Sequence, residues 1–72
     1  MTQEEINVLN FLRRSPDTLF ARKEIARKAV KRTIYDENPH WADQALASLV
    51  AAKEIEVDNS GFYRIWKSDP YR

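Results

Sequence analysis

The chain contains no cysteine, one glycine and one histidine among its 72 residues. Without cysteine it has no disulfide framework, no zinc site with thiolate ligands and no iron–sulfur cluster. A single glycine excludes a glycine-rich phosphate loop. One histidine, His40, cannot by itself supply a hydrolytic triad or a histidine metal site. We therefore expect no enzymatic activity, no catalytic residue, no metal and no cofactor.

Long hydrophobic runs are also missing, since no stretch of about 18 apolar residues occurs. The first residues include two glutamates and lack the basic stretch of a signal peptide. The hydrophobic content is 43%, and 12 Lys and Arg face 11 Asp and Glu, for a net charge of +1. These features predict one small cytoplasmic domain without a membrane partner, over residues 1–67, followed by a tail at 68–72.

Positive charge is concentrated in the first half of the chain. Residues 1–36 have eight cationic and five anionic side chains, whereas residues 37–72 have four and six. Six cations accompany a single acidic residue, Glu24, in one window: Arg22, Lys23, Arg27, Lys28, Lys31 and Arg32. This stripe is either the solvated face of a helix or a patch that faces the phosphates of a polyanion.

Two helices are predicted in this half. Thr2 and Glu5 have the spacing of a capping box before an amphipathic pattern that predicts a helix over residues 3–14. A second helix is expected over residues 22–30, preceded by a short extended segment at Leu19 and Phe20. Residues 31–37 form a polar connection without a clear pattern.

The second half predicts one more helix and a hairpin. Asn38 followed by Pro39 is a strong helix start, so a third helix is expected over residues 39–53. Beyond it, apolar and acidic residues alternate over residues 54–58, and a turn containing Gly61 leads into an aromatic-rich strand. The sequence therefore predicts an α+β fold with three helices, a short extended segment and a C-terminal β-hairpin.

This order of elements resembles the winged helix-turn-helix superfamily over about residues 3–66. The segments that show the resemblance are Leu19-Phe20 with Arg22-Lys23-Glu24-Ile25-Ala26, then Ala45-Leu46 and Leu49-Val50, then Lys53-Glu54-Ile55 and the turn at Gly61. In that family three helices pack against a small sheet, the third helix enters the DNA major groove, and the hairpin wing contacts the backbone. The resemblance implies a regulatory module that binds duplex DNA.

The resemblance also implies roles for individual residues. The start of the third helix would offer His40, Asp43 and Gln44 to base edges, and Gln44 could pair with adenine. The phosphate contacts would come from the second helix and the wing: Arg22, Lys23, Arg27 and Lys28, together with Arg64 and Lys67.

Two other kinds of partner stay open at this point. Protein binding through the third helix and the hairpin would use Trp41, Ala47, Ala51 and Trp66, since exposed aromatic side chains mark interfaces. RNA binding would stack bases on Tyr63, Trp66 or Trp41. The sequence is compatible with a monomer and with a weak dimer.

Overall fold

The computed structural model describes residues 1–66, which form four helices and a small three-stranded sheet. The elements follow the chain in this order: α1 (Gln3–Arg13), β1 (Phe20–Ala21), α2 (Arg22–Lys28), α3 (Arg32–Glu37), α4 (Asp43–Ala51), β2 (Ile55–Val57) and β3 (Phe62–Ile65). The predicted α+β class is confirmed. The predicted tail at 68–72 lies outside the described residues.

The predicted capping box at the start of α1 is present. The Glu5 backbone N–H donates to Thr2 Oγ1 at 3.1 Å, and the Thr2 backbone N–H donates to Glu5 Oε1 at 2.7 Å. The bond from the Thr2 backbone, with a further effect of the Thr2 side chain, lowers the pKa of the Glu5 carboxyl. The folded state thus favours the ionised form of Glu5, and this preference stabilises the fold at neutral pH. The stabilisation is lost as pH falls through the lowered pKa.

The second helix is shorter than predicted. α2 begins at Arg22 as expected, with Ala21 at the N-cap position and no side-chain cap, but it ends at Lys28. The Ala29 backbone N–H closes the last turn on the Ile25 carbonyl at 2.9 Å. The connection that showed no pattern in the sequence contains a further helix, α3, none of whose residues is buried.

The predicted helix start at Asn38 and Pro39 is wrong. Asn38 caps a tight turn instead: its Oδ1 accepts the His40 N–H at 3.1 Å, and its carbonyl accepts the Trp41 N–H at 3.1 Å. α4 begins only at Asp43. The turn is held against α2, since the indole Nε1 of Trp41 donates to the Ala26 carbonyl at 2.8 Å.

The end of α4 also differs from the predicted end at residue 53. α4 ends at Ala51, and Lys53 has a left-handed backbone with φ 60°. The Glu54 N–H donates to the Leu49 carbonyl at 3.0 Å and the Lys53 N–H to the Val50 carbonyl at 3.1 Å. These two bonds form a Schellman motif with lysine at the position that glycine usually occupies. The motif turns the chain directly into β2.

The predicted hairpin is confirmed. β2 and β3 pair antiparallel with Glu56 opposite Arg64, and β1 adds to the other side of β3, so that the strand order is β1-β3-β2. In the turn, the Asp58 side chain accepts the backbone N–H groups of Ser60 and Phe62, each at 2.9 Å. Gly61 has φ 83°, a conformation that L-residues with a side chain adopt at a cost.

The core joins three of the helices to the sheet. Its buried members come from α1, the turn before α4, α2, α4 and β2: Val8, Leu9, Leu12, Ile25, Ala26, Ala42, Ala45, Leu46, Leu49 and Ile55. Among residues 1–66, no helix has both the length and the apolar character that crossing a bilayer requires. The core packs α1 against α2 and α4 and leaves the polar faces of α1, α2 and α3 outward.

Candidate functional site

A concave surface that gathers several of the predicted site residues lies between α2 and α3. It has a volume of about 430 Å³ and is lined by Lys23, Arg27, Lys28, Arg32, Tyr35 and Asp36. We call this surface the basic groove. Three of its four cations belong to the predicted phosphate contacts, and the fourth, Arg32, belongs to the same cationic stripe. The structure therefore brings residues from two helices to one surface with an excess of positive charge.

Two of the four groove cations already have acidic neighbours. Lys28 Nζ lies 2.9 Å from Glu24 Oε2, and Arg32 Nε lies 3.6 Å from Asp36 Oδ2, both one helical turn apart. Exposed pairs of this kind contribute little free energy and are screened by salt. Lys23 and Arg27 form no ion pair with another residue in the range 1–66. Positive charge in the basic groove is thus available to an external anion.

Arg22, the first residue of α2, lies outside the basic groove and contacts α4. Its Nη1 is 3.0 Å from Asp43 Oδ1, while His40 Nδ1 is 3.2 Å from Asp43 Oδ2. All three side chains are exposed. Two residues predicted to touch DNA, Arg22 and His40, therefore both contact a third, the Asp43 carboxylate.

Gln44 is separate from these cations. It lines a smaller cavity of about 260 Å³ between the start of α1 and α4, whose other lining residues are Thr2, Glu4, Glu5, Trp41, Ala45 and Ser48. Two of them are acidic. The predicted base-reading residue therefore lies on a surface that differs in charge from the basic groove.

Arg64, one of the predicted phosphate contacts in the hairpin, also has an acidic partner. Arg64 Nε lies 2.6 Å from Glu56 Oε2 on the neighbouring strand, and both side chains are about one-third exposed. Arg64 thus faces a carboxylate directly across the β2–β3 ladder. Lys67, the second predicted wing contact, lies outside the described residues.

The residues predicted for a protein interface differ in their surroundings. Trp41 is half-buried and bonded to α2, whereas Ala47 and Ala51 are exposed on α4 and Trp66 is 42% exposed after β3. Leu19, Val57 and Phe62 on or beside the sheet are exposed to a similar degree. Four of the seven large apolar side chains that are exposed within residues 1–66 therefore lie on or beside the sheet.

Tyr35 and Asp36 are groove residues that sequence reasoning did not place at the site. Both belong to α3. No residue of this helix is buried, so its sequence lacks the periodic apolar pattern that would predict a helix. Tyr35 and Asp36 follow Arg32 by three and four residues. In a helix this spacing places side chains next to one another, so a predicted helix would have located both beside Arg32.

Among residues 1–66, His, Asp and Glu side chains do not gather in groups of three or more that could hold a metal ion. Comparison with protein-family models, with curated proteins and with solved structures yields no match. Among the described residues, the basic groove is the feature that best indicates a function.

Proposed function

We propose that this domain is a regulatory nucleic-acid-binding module of the winged-helix type, and that it binds the phosphate backbone of duplex DNA in the basic groove. The observation that carries the proposal is the groove itself, where Lys23, Arg27, Lys28 and Arg32 face a single lining carboxylate, Asp36. The order of elements and the hairpin that follows α4 support the fold assignment.

The energetic basis is counterion release. Each phosphate that a Lys or Arg neutralises releases condensed counterions, so affinity falls with salt with a slope of about 0.9 per contact. Two groove cations without acidic neighbours, Lys23 and Arg27, can make such contacts directly. Lys28 and Arg32 can exchange a carboxylate for a phosphate at little cost, because exposed ion pairs are weak.

A double substitution in the groove tests the proposal. The Lys23→Ala, Arg27→Ala variant should lower the salt slope for a mixed-sequence duplex by about 1.8. By the same relation its affinity should fall roughly sixtyfold at about 0.1 M salt. Fluorescence anisotropy with a labelled duplex at several salt concentrations measures both quantities.

The control variant, Arg13→Ala, Lys53→Ala, removes two exposed cations that do not line the groove. It should change affinity less than the groove variant and leave most of the slope intact. Equal losses in the two variants would show that net charge, not the groove, determines binding. Absence of salt-sensitive binding by the unmodified chain would refute the proposal outright.

A second candidate function is protein binding through α4 and the hairpin, which the exposed Val57, Phe62 and Trp66 favour. A bulky cation on α4 should interfere with such contact. We expect Ala47→Arg to abolish retention of a protein partner in affinity capture, while the Lys23→Ala, Arg27→Ala variant retains it. Retention of the partner by Ala47→Arg would remove α4 from the interface.

A further inference from the structure

The basic groove shares one lining residue with two other concave surfaces. Lys28 lines the groove and also lines a cavity of about 130 Å³ at α1 and a broad depression of about 550 Å³ toward α3. Asn7 and Ala29 are shared by these last two. We call the added surface the α1 extension; its lining residues are Asn7, Asn10, Phe11, Arg14, Lys28, Ala29, Val30, Lys31 and Ile34.

The α1 extension contains cations and amides but no carboxylate. Arg14 and Lys31 add two positive charges beyond those of the basic groove, and neither forms an ion pair with another residue between 1 and 66. The Asn7 Oδ1 accepts a hydrogen bond from Gln3 Nε2 at 2.9 Å. That bond leaves the Asn7 amide NH₂ as a donor, and Asn10 supplies a second side-chain amide. Such donors commonly bind phosphate oxygens.

We propose that the phosphate-binding surface extends from the basic groove over Lys28 to Arg14, so that one DNA strand lies across α3, α2 and α1. The occupant is a duplex backbone because its charge is continuous along the strand and complements cations spread over three helices. This proposal rests on the proposed function and specifies which helices the DNA strand contacts. The surface includes no residue of α4 or the hairpin.

The sequence alone does not indicate whether Arg13 or Arg14 contacts DNA. Both are exposed arginines at the end of α1, where a cation suits the negative end of the helix dipole. Only Arg14 lines the α1 extension; Arg13 lies outside the basic groove and the extension. Their substitutions therefore form a matched pair with the same change of charge.

The test compares Arg14→Ala with Arg13→Ala in the complete chain, using anisotropy titrations with a mixed-sequence duplex. Arg14→Ala should lower the salt slope by about 0.9 and the affinity roughly eightfold at about 0.1 M salt. Arg13→Ala should lower the affinity about twofold or less, as expected of a distant exposed charge. Thermal unfolding of both variants verifies that each is folded.

A second variant, Asn10→Asp, places a carboxylate in the α1 extension with almost no change of size. It should weaken DNA binding at low salt, and the loss should shrink as salt rises. Equal effects of Arg14→Ala and Arg13→Ala, or unchanged binding by Asn10→Asp, would overturn the extension. If the groove double variant still loses affinity in that case, the proposed function stands without the extension. Failure of the unmodified chain to bind duplex DNA would overturn both.

Discussion

The Leu46→Ala variant is expected to lose a large part of the stability of the domain. Leu46 is 1% exposed and lies in the core cluster, so truncation removes buried apolar contacts and leaves a cavity. Changes of this kind cost about 2–5 kcal/mol. A domain of 72 residues has a free energy of unfolding of roughly 4–11 kcal/mol. Urea unfolding followed by circular dichroism should show a much lower midpoint.

Leu19→Ala is the control for this prediction, because it deletes the same atoms at a position that is 42% exposed. Its cost should be about 1 kcal/mol or less, since surface substitutions have small effects. Similar midpoints for the two variants would contradict the assignment of Leu46 to the core.

The second large effect is expected at Trp41. The Ala26 carbonyl belongs to the last turn of α2, where helix carbonyls lack partners within the helix. The Trp41 indole supplies that partner, and Ala26 is fully buried. Trp41→Phe keeps an aromatic ring but leaves the carbonyl without a donor, at a cost of about 1–3 kcal/mol. Thermal or urea unfolding measures the loss.

Trp66→Phe makes the same chemical change at an exposed tryptophan whose indole forms no hydrogen bond with residues 1–66. It should cost about 0.5 kcal/mol or less. It also leaves Trp41 as the single tryptophan, so that emission from this variant reports the half-buried indole alone. If both variants were equally stable, the contact between Trp41 and α2 would be energetically unimportant.

Local chemistry was sufficient to predict several elements. The reciprocal bonds of Thr2 and Glu5 follow from their spacing, since the cap uses groups within one turn of helix. The hairpin turn follows from the turn residues that end at Gly61, because the positive φ there is a local property of the chain; the structure adds the Asp58 side chain as the acceptor within that turn. Such features need no distant partner, so the sequence alone is enough to identify them.

The start of α4 was mispredicted because distant contacts override the local signal. Asn38 and Pro39 are favourable at a helix start, yet the chain forms a turn there. That turn places the Trp41 indole against the Ala26 carbonyl, 15 residues earlier, and buries Ala42. Capping preferences of about 1 kcal/mol cannot prevail over a partly buried hydrogen bond together with core packing.

Part of the candidate site could also be predicted from the sequence. The cationic stripe identified Lys23, Arg27 and Lys28, since the composition of that window is visible without a fold. The partners of other predicted contacts could not be inferred. Asp43 lies beside Arg22 because the fold brings the first residues of α2 and α4 together, and Glu56 faces Arg64 because of the strand register.

The sequence by itself determined the α+β class, the first cap, the hairpin turn and the concentration of positive charge near α2. These depend on neighbours along the chain and on periodicity, both of which the residue order contains. Only the tertiary structure decided that α3 forms, that α4 begins at Asp43, and that Arg14 and Lys28 share one concave surface. The last two outcomes depend on contacts between segments that are distant in the chain, such as the bond from Trp41 to Ala26. α3, none of whose residues is buried, instead lies against its neighbour α2.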